Sequence, residues 1–168
     1  MSKDKFLVLF IFGVALAAGI YAWVFQYNKS LQVLKWLGPE RAHLVTNGDS
    51  VFLLELDAGH EDSDSYVDLL TRRWNITNET EITNWKGLVH ARYMLSVDVS
   101  YIWDQSAPDA SNIHCTYAIR FTSDDPDSLS LVIGFDPENR LAVSGSRAVA
   151  MGEMSDQLFK YLFETTDH

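Results

Sequence analysis

The chain has 168 residues with 13 basic and 23 acidic side chains, a formal net charge of −10. A field of that sign repels nucleic acid and anionic lipid unless cations cluster locally, and Arg72-Arg73 is the only adjacent basic pair, so both are discounted as partners of the charged domain. The single cysteine, Cys115, rules out a disulfide within the chain, leaving a hydrophobic core to hold the fold.

After a short tail, 1–5, residues 6–25 read FLVLFIFGVALAAGIYAWVF, twenty residues without a charge. As a helix rising about 1.5 Å per residue, that run spans about 30 Å, the thickness of a bilayer's hydrocarbon core. Tyr21, Trp23, Phe25 and Tyr27 crowd its C-terminal end, where amphipathic rings favour the headgroup layer. The expectation is a transmembrane anchor over 6–27, with the N-terminus cytoplasmic and the following domain external or periplasmic. Two other readings compete. Ala15-Leu16-Ala17 has the form of a signal-peptidase site, although the apolar run continues past it. A buried helix of a soluble core is the other, although such helices ordinarily show a polar face. Small residues recur at four-residue spacing, Gly13 with Ala17, Ala15 with Gly19 and Ala18 with Ala22. That spacing lets two membrane helices approach closely, so self-association through the anchor is one expected contact.

Residues 28–38 read as a juxtamembrane helix or linker, ended by Gly38-Pro39. The soluble domain then runs from 39 to 168. Without Lys3, Lys5, Lys29 and Asp4, the 139 residues from 30 onward carry 10 basic and 22 acidic side chains, a net of −12. Pro39 suits the first position of a helix and Asn47-Gly48 its end, which predicts a helix over 39–46. Residues 50–57 read as a strand and 58–65 as an acidic loop. Val67, Leu70 and Trp74 share a helical face, which predicts a helix over 66–74. Residues 75–85 are polar and read as loop or partial strand, and 87–97 as a helix.

A strand is expected at 99–104. In 113–122, Ile113, Cys115, Tyr117, Ile119 and Phe121 alternate with His114, Thr116, Ala118, Arg120 and Thr122. Residues 129–135 alternate likewise. Asp136-Pro137-Glu138-Asn139 has the residues of a type I turn, and 140–144 returns as a third strand. These runs predict an antiparallel meander with one buried face. A helix over 151–164, with Met151, Met154, Leu158, Tyr161 and Leu162 in one stripe, would cover that face. The fold class expected is α+β: an N-terminal transmembrane helix, then an antiparallel sheet packed by helices.

Little in the chain points to chemistry. None of the histidines, 43, 60, 90, 114 and 168, forms a His-x-x-x-His pair, and no CxxC occurs, so neither a metal nor another cofactor is expected. The acidic stretches 57–64 and 124–127 hold oxygen donors but lack the spacing of a calcium loop. No G-x-S-x-G elbow and no glycine-rich phosphate loop is present. His114 and Cys115, being neighbours on a strand, point to opposite faces and make no dyad. What remains is a candidate ligand face carrying His114 and Arg120, with His90 and Arg92 as a second pair. Three N-x-S/T sequons, at Asn28, Asn75 and Asn78, read as coincidence.

Trp36-Leu37-Gly38-Pro39-Glu40, Gly87-Leu88-Val89-His90-Ala91-Arg92 and Ile133-Gly134-Phe135-Asp136 together resemble uncharacterised small membrane-anchored proteins of planctomycete bacteria. The resemblance covers most of 34–163. It implies an α+β domain and a bacterial source, and supplies no activity. The functional expectation is a non-enzymatic, membrane-tethered interaction domain, with the lipid bilayer and a membrane protein as its partners. A small-ligand binding or sensing module is the alternative, and a hydrolase a third.

Overall fold

The computed structural model describes residues 12–22, 31–58, 65–106, 108–125, 129–153 and 155–164. The chain divides into two units, Met1–Gln32 and Val33–His168. In the first, residues 12–22 form a helix, α1, with every side chain exposed. Among the described residues no helix is long and apolar enough to cross a membrane. α1 lies inside the 6–25 run, and the rest of that run falls outside the described residues.

The second unit starts with two short helices, α2 (Gln32–Leu37) and α3 (Pro39–Asn47). Gly38 joins them as a single residue with φ 84 and ψ 154, a backbone region essentially reserved for glycine. Its N–H donates to Leu34 O, ending α2, and its carbonyl accepts from Ala42 N, starting α3. Val33, Trp36 and Leu37 of α2 and Ala42, Leu44 and Val45 of α3 are buried.

Eight strands follow: β1 (Ser50–Asp57), β2 (Tyr66–Leu69), β3 (Arg72–Glu81), β4 (Tyr101–Ile102), β5 (Tyr117–Thr122), β6 (Leu131–Asp136), β7 (Leu141–Ser144) and β8 (Arg147–Met151). They form one antiparallel sheet in the order β2-β3-β1-β5-β6-β7-β8-β4. The third and fourth described helices of this unit are α4 (Leu88–Ser96) and α5 (Ser155–Glu164). The fold is thus α+β, an antiparallel sheet packed by helices, as the patterning predicts.

The expected single buried face is corrected, because the sheet buries both. On one side Val51, Leu53, Ile119, Phe121, Ile133 and Phe135 pack under the four helices of this unit. Phe159 of α5 meets Phe135 edge-on at 5.9 Å, the cover that the C-terminal stripe predicts. On the other side Leu54, Leu56, Ala118, Leu141 and Val143 pack with Leu69, Leu70 and Trp74 from the β2–β3 hairpin. That hairpin bends over its own sheet. A register shift between Glu55 and Leu56 breaks the β1–β3 ladder, and such bulges sharpen the twist of a strand. At the hairpin tip Leu70 N donates to Gly145 O at 2.7 Å, in the turn between β7 and β8. The side chain of Leu69 occupies the space a side chain on Gly134 would need: a Cβ there would fall 2.5 Å from Leu69 Cδ1 and 3.2 Å from Cys115 Sγ.

The helix expected over 66–74 is therefore a hairpin. Its two-residue turn, Leu70-Thr71, has φ of 53 and 64, the left-handed pair that ordinarily calls for Asn-Gly. Burial of Leu70 and its bond to Gly145 hold an unfavourable local sequence in place. Trp74 sits inside, its Nε1 donating to Leu69 O at 3.3 Å. The strand expected at 99–104 is a 3-10 turn, Asp98–Ser100, followed by the two-residue β4. Residues 147–151 are β8, so the C-terminal helix begins at Ser155 and Met151 belongs to the sheet. Met154 lies outside the described residues.

Alternation in 113–122 also slips. Ile113 and Cys115 pack on the hairpin side with Ala118, whereas Ile119 and Phe121 pack on the helix side. β5 begins only at Tyr117. At the slip, Thr116 is bonded on both flanks, its carbonyl to Leu56 N and its N–H to Phe135 O, opposite the shifted part of β1.

Candidate functional site

The four cationic or titratable residues of the expected ligand face fall in separate places, and two of them are engaged in holding the fold. Arg92 lies on α4, which packs against α3. Its Nη1 donates to Val45 O at 3.2 Å and its Nη2 to Gly48 O at 2.7 Å. These carbonyls at the end of α3 have no partner within their own helix, so the guanidinium closes the end of α3 from a neighbouring element. It also stands 5.7 Å over the Phe121 ring. Burial lowers the Arg92 pKa from its ordinary value, and the Asp49 carboxylate opposes that shift.

Arg120 is on the opposite side of the sheet. On β5 it shares its face with Ala118, where it forms an ion pair with Glu79 of β3 and lies 4.9 Å over the Phe52 ring. The phase slip at Thr116 parts it from His114. His114 is exposed, between Ile113 and Cys115, which both point inward, and its backbone N–H donates to Asp136 Oδ2 at 2.8 Å. His90 is on the outer surface of α4, beside exposed Val89. Among the described residues no cleft gathers the four.

Cys115 is buried, and its thiol is pushed up to about 12 by that burial and secondarily by the Asp136 carboxylate. A thiol so held is neutral at physiological pH and no nucleophile. Asp136, fully buried, accepts from His114 N, Asn139 N and Asn139 Nδ2. It ties the β6–β7 turn to the segment before β5, the role that the first residue of such a turn predicts. Asp49 does the same for the β5–β6 connection, its Oδ2 accepting from Asp124 N at 2.9 Å and Ser123 Oγ at 3.1 Å. Those two bonds, the backbone one first, hold its carboxyl below the usual carboxylate range. Of the two acidic stretches, residues 59–64 and 126–127 lie outside the described residues. Among the described residues no group of three His, Cys, Asp or Glu side chains is placed to hold a metal ion.

The sequence gives no hint of an open groove of about 580 Å³ lined by Arg140, Glu153, Asp156 and Gln157. Arg140 and Asp156 pair across it at 3.0 Å, both half exposed. The groove combines a neutralised cation with one further carboxylate and an amide, and it holds no nucleophile beside a base. Sequence reasoning cannot anticipate it, because it forms where the β6–β7 turn meets the first turn of α5. In α1, Gly13 and Gly19 have open space where a side chain would stand.

No family model matches the chain, and neither a curated protein nor a solved structure does.

Proposed function

We infer that the chain is a membrane-tethered interaction domain without catalytic activity, an accessory part of a membrane assembly. The observation that carries this reading is the pairing of a twenty-residue uncharged run with a folded unit in which three conspicuous groups are taken up by the fold. Arg92 closes a helix end, Arg120 is ion-paired, and Cys115 is buried. The run 6–25 serves as an uncleaved signal-anchor, with Lys3 and Lys5 on the cytoplasmic side and the α+β unit outside. The small-residue stripe of the anchor offers a packing surface for a second membrane helix. The resemblance to planctomycete proteins fits such an architecture in a bacterial envelope.

Fractionation and protease access test it together. The full chain is expected to stay in the membrane pellet through an alkaline carbonate wash. In intact cells whose outer barrier is permeabilised, external protease is expected to digest the α+β unit. A mature chain starting near Ala18, or protein in the supernatant, overturns the anchor. A unit that is protected until the inner membrane is opened reverses the topology.

A further inference from the structure

We propose that the α+β unit rests on the lipid headgroup layer through one amphipathic edge, formed by α2, the turn at Asp98–Ser100 and β4. This deepens the anchor reading and rests on it. Three exposed apolar side chains mark the edge: Leu34 at 39 %, Val99 at 76 % and Ile102 at 44 %. They lie on segments fastened to one another. Val33 N donates to Asp98 Oδ1 at 2.7 Å, and Trp103 Nε1 to Asp98 O at 3.0 Å. The Trp36 ring stands edge-on to Tyr101 at 5.3 Å and to Trp103 at 6.3 Å. The edge is therefore a firm aromatic-backed platform.

Cations flank it. Lys35 is exposed beside Leu34, and Arg147 reaches from β8 to donate to Lys35 O at 3.2 Å. Neither pairs with a carboxylate among the described residues, in a unit that is otherwise strongly acidic. Apolar side chains with cations at their border are the composition that lies in a headgroup layer. The rest of the unit's surface is repelled by anionic lipid, which turns this edge inward.

On the anchor reading the tether is short. Eight residues lead from Phe25 to Val33, a reach of at most about 28 Å.

The test uses the full chain in vesicles of three parts phosphatidylcholine to one part phosphatidylglycerol. An environment-sensitive dye is attached at Val99→Cys, at Ile102→Cys and, as the distant control, at Leu129→Cys; buried Cys115 stays unlabelled. Lipids carrying a headgroup-depth quencher are expected to reduce emission at least twofold at 99 and 102 and to leave 129 unchanged. Equal response at all three positions overturns the proposal. So does no response at 99 and 102 in vesicles that retain the protein through carbonate, and that result leaves the anchor standing. Protein lost in the carbonate wash fails the anchor and this reading together. Shielding of 102 in native membranes but not in vesicles assigns the edge to a protein partner and overturns the lipid assignment. Lys35→Glu with Arg147→Glu is expected to halve the quenching in anionic vesicles and to spare it in pure phosphatidylcholine; unchanged quenching in the anionic vesicles removes the cations from the proposal.

Discussion

The two faces of the sheet are buried in different ways. One is roofed by helices α2 to α5, separate elements that each bring an apolar stripe. The other is roofed by the sheet's own β2–β3 arm, bent back until Leu69 presses on Gly134 and Leu70 bonds Gly145. A helix roof tolerates local adjustment, because each helix brings its own apolar stripe to the sheet. The folded-back arm depends on a few close fits, so its tolerance is narrow, and substitutions should separate the two faces.

The largest effect is expected at the arm. Trp74→Ala removes the biggest buried side chain of that face and leaves Leu69 O without its indole donor, a loss of about 3–5 kcal/mol in urea unfolding of the full chain in micelles. Cys115 alkylation at pH 8, very slow in the parent because the thiol is buried and protonated, is expected to accelerate in step. Gly134→Ala comes next, at about 1–3 kcal/mol from overpacking against Leu69 and Cys115. Combining it with Leu69→Ala should cost less than the two singles summed, since both act on one contact. Additive costs would show that the arm does not close on Gly134.

On the helix side, Arg92→Met is expected to cost about 1–2 kcal/mol, the loss of two charge-assisted bonds at a partly exposed site. Amide exchange at the end of α3 should quicken while Cys115 protection is unchanged, which sharpens the separation of the faces. Thr71→Gly should stabilise by about 1 kcal/mol, because glycine adopts the left-handed conformation there without strain. The smallest effect is at Asp49. Its folded pKa is depressed, so its contribution is present above the ordinary carboxylate range and disappears as pH falls through the depressed value. Asp49→Asn should therefore differ from the parent at neutral pH and converge with it only as pH falls through that depressed value.

The same contrast explains what could be read from the chain. The meander from β5 to β7 is legible because Ile119, Phe121, Ile133 and Phe135 alternate with residues of the other face and Asp136-Pro137 announces a turn. α3 and α5 are legible from Pro39 and from Leu158 and Leu162. The β2–β3 arm is not. Its turn carries Leu70-Thr71 in place of Asn-Gly, and β3 buries only Trp74, so neither turn chemistry nor alternation is there to see. Arg92 and Arg120 are conspicuous as residue types, but their partners Val45, Gly48 and Glu79 lie more than forty positions away. No local pattern tells a helix-closing arginine from a ligand-binding one. The edge carrying Val99 and Ile102 escapes for a similar reason: both fall within the strand expected at 99–104, whereas Val99 stands in the 3-10 turn and only Ile102 in the two-residue β4.

The latch between Leu70 and Gly145 joins positions 75 apart in the chain. A contact of that separation forms after the meander it docks on, since closing so long a loop is rewarded only once the surface beneath exists. Interactions that form after the rate-limiting step govern how slowly a protein opens rather than how fast it folds. Loss of the latch, by shortening the Leu70 side chain, is therefore expected to speed opening more than it slows folding, which unfolding and refolding rates would read.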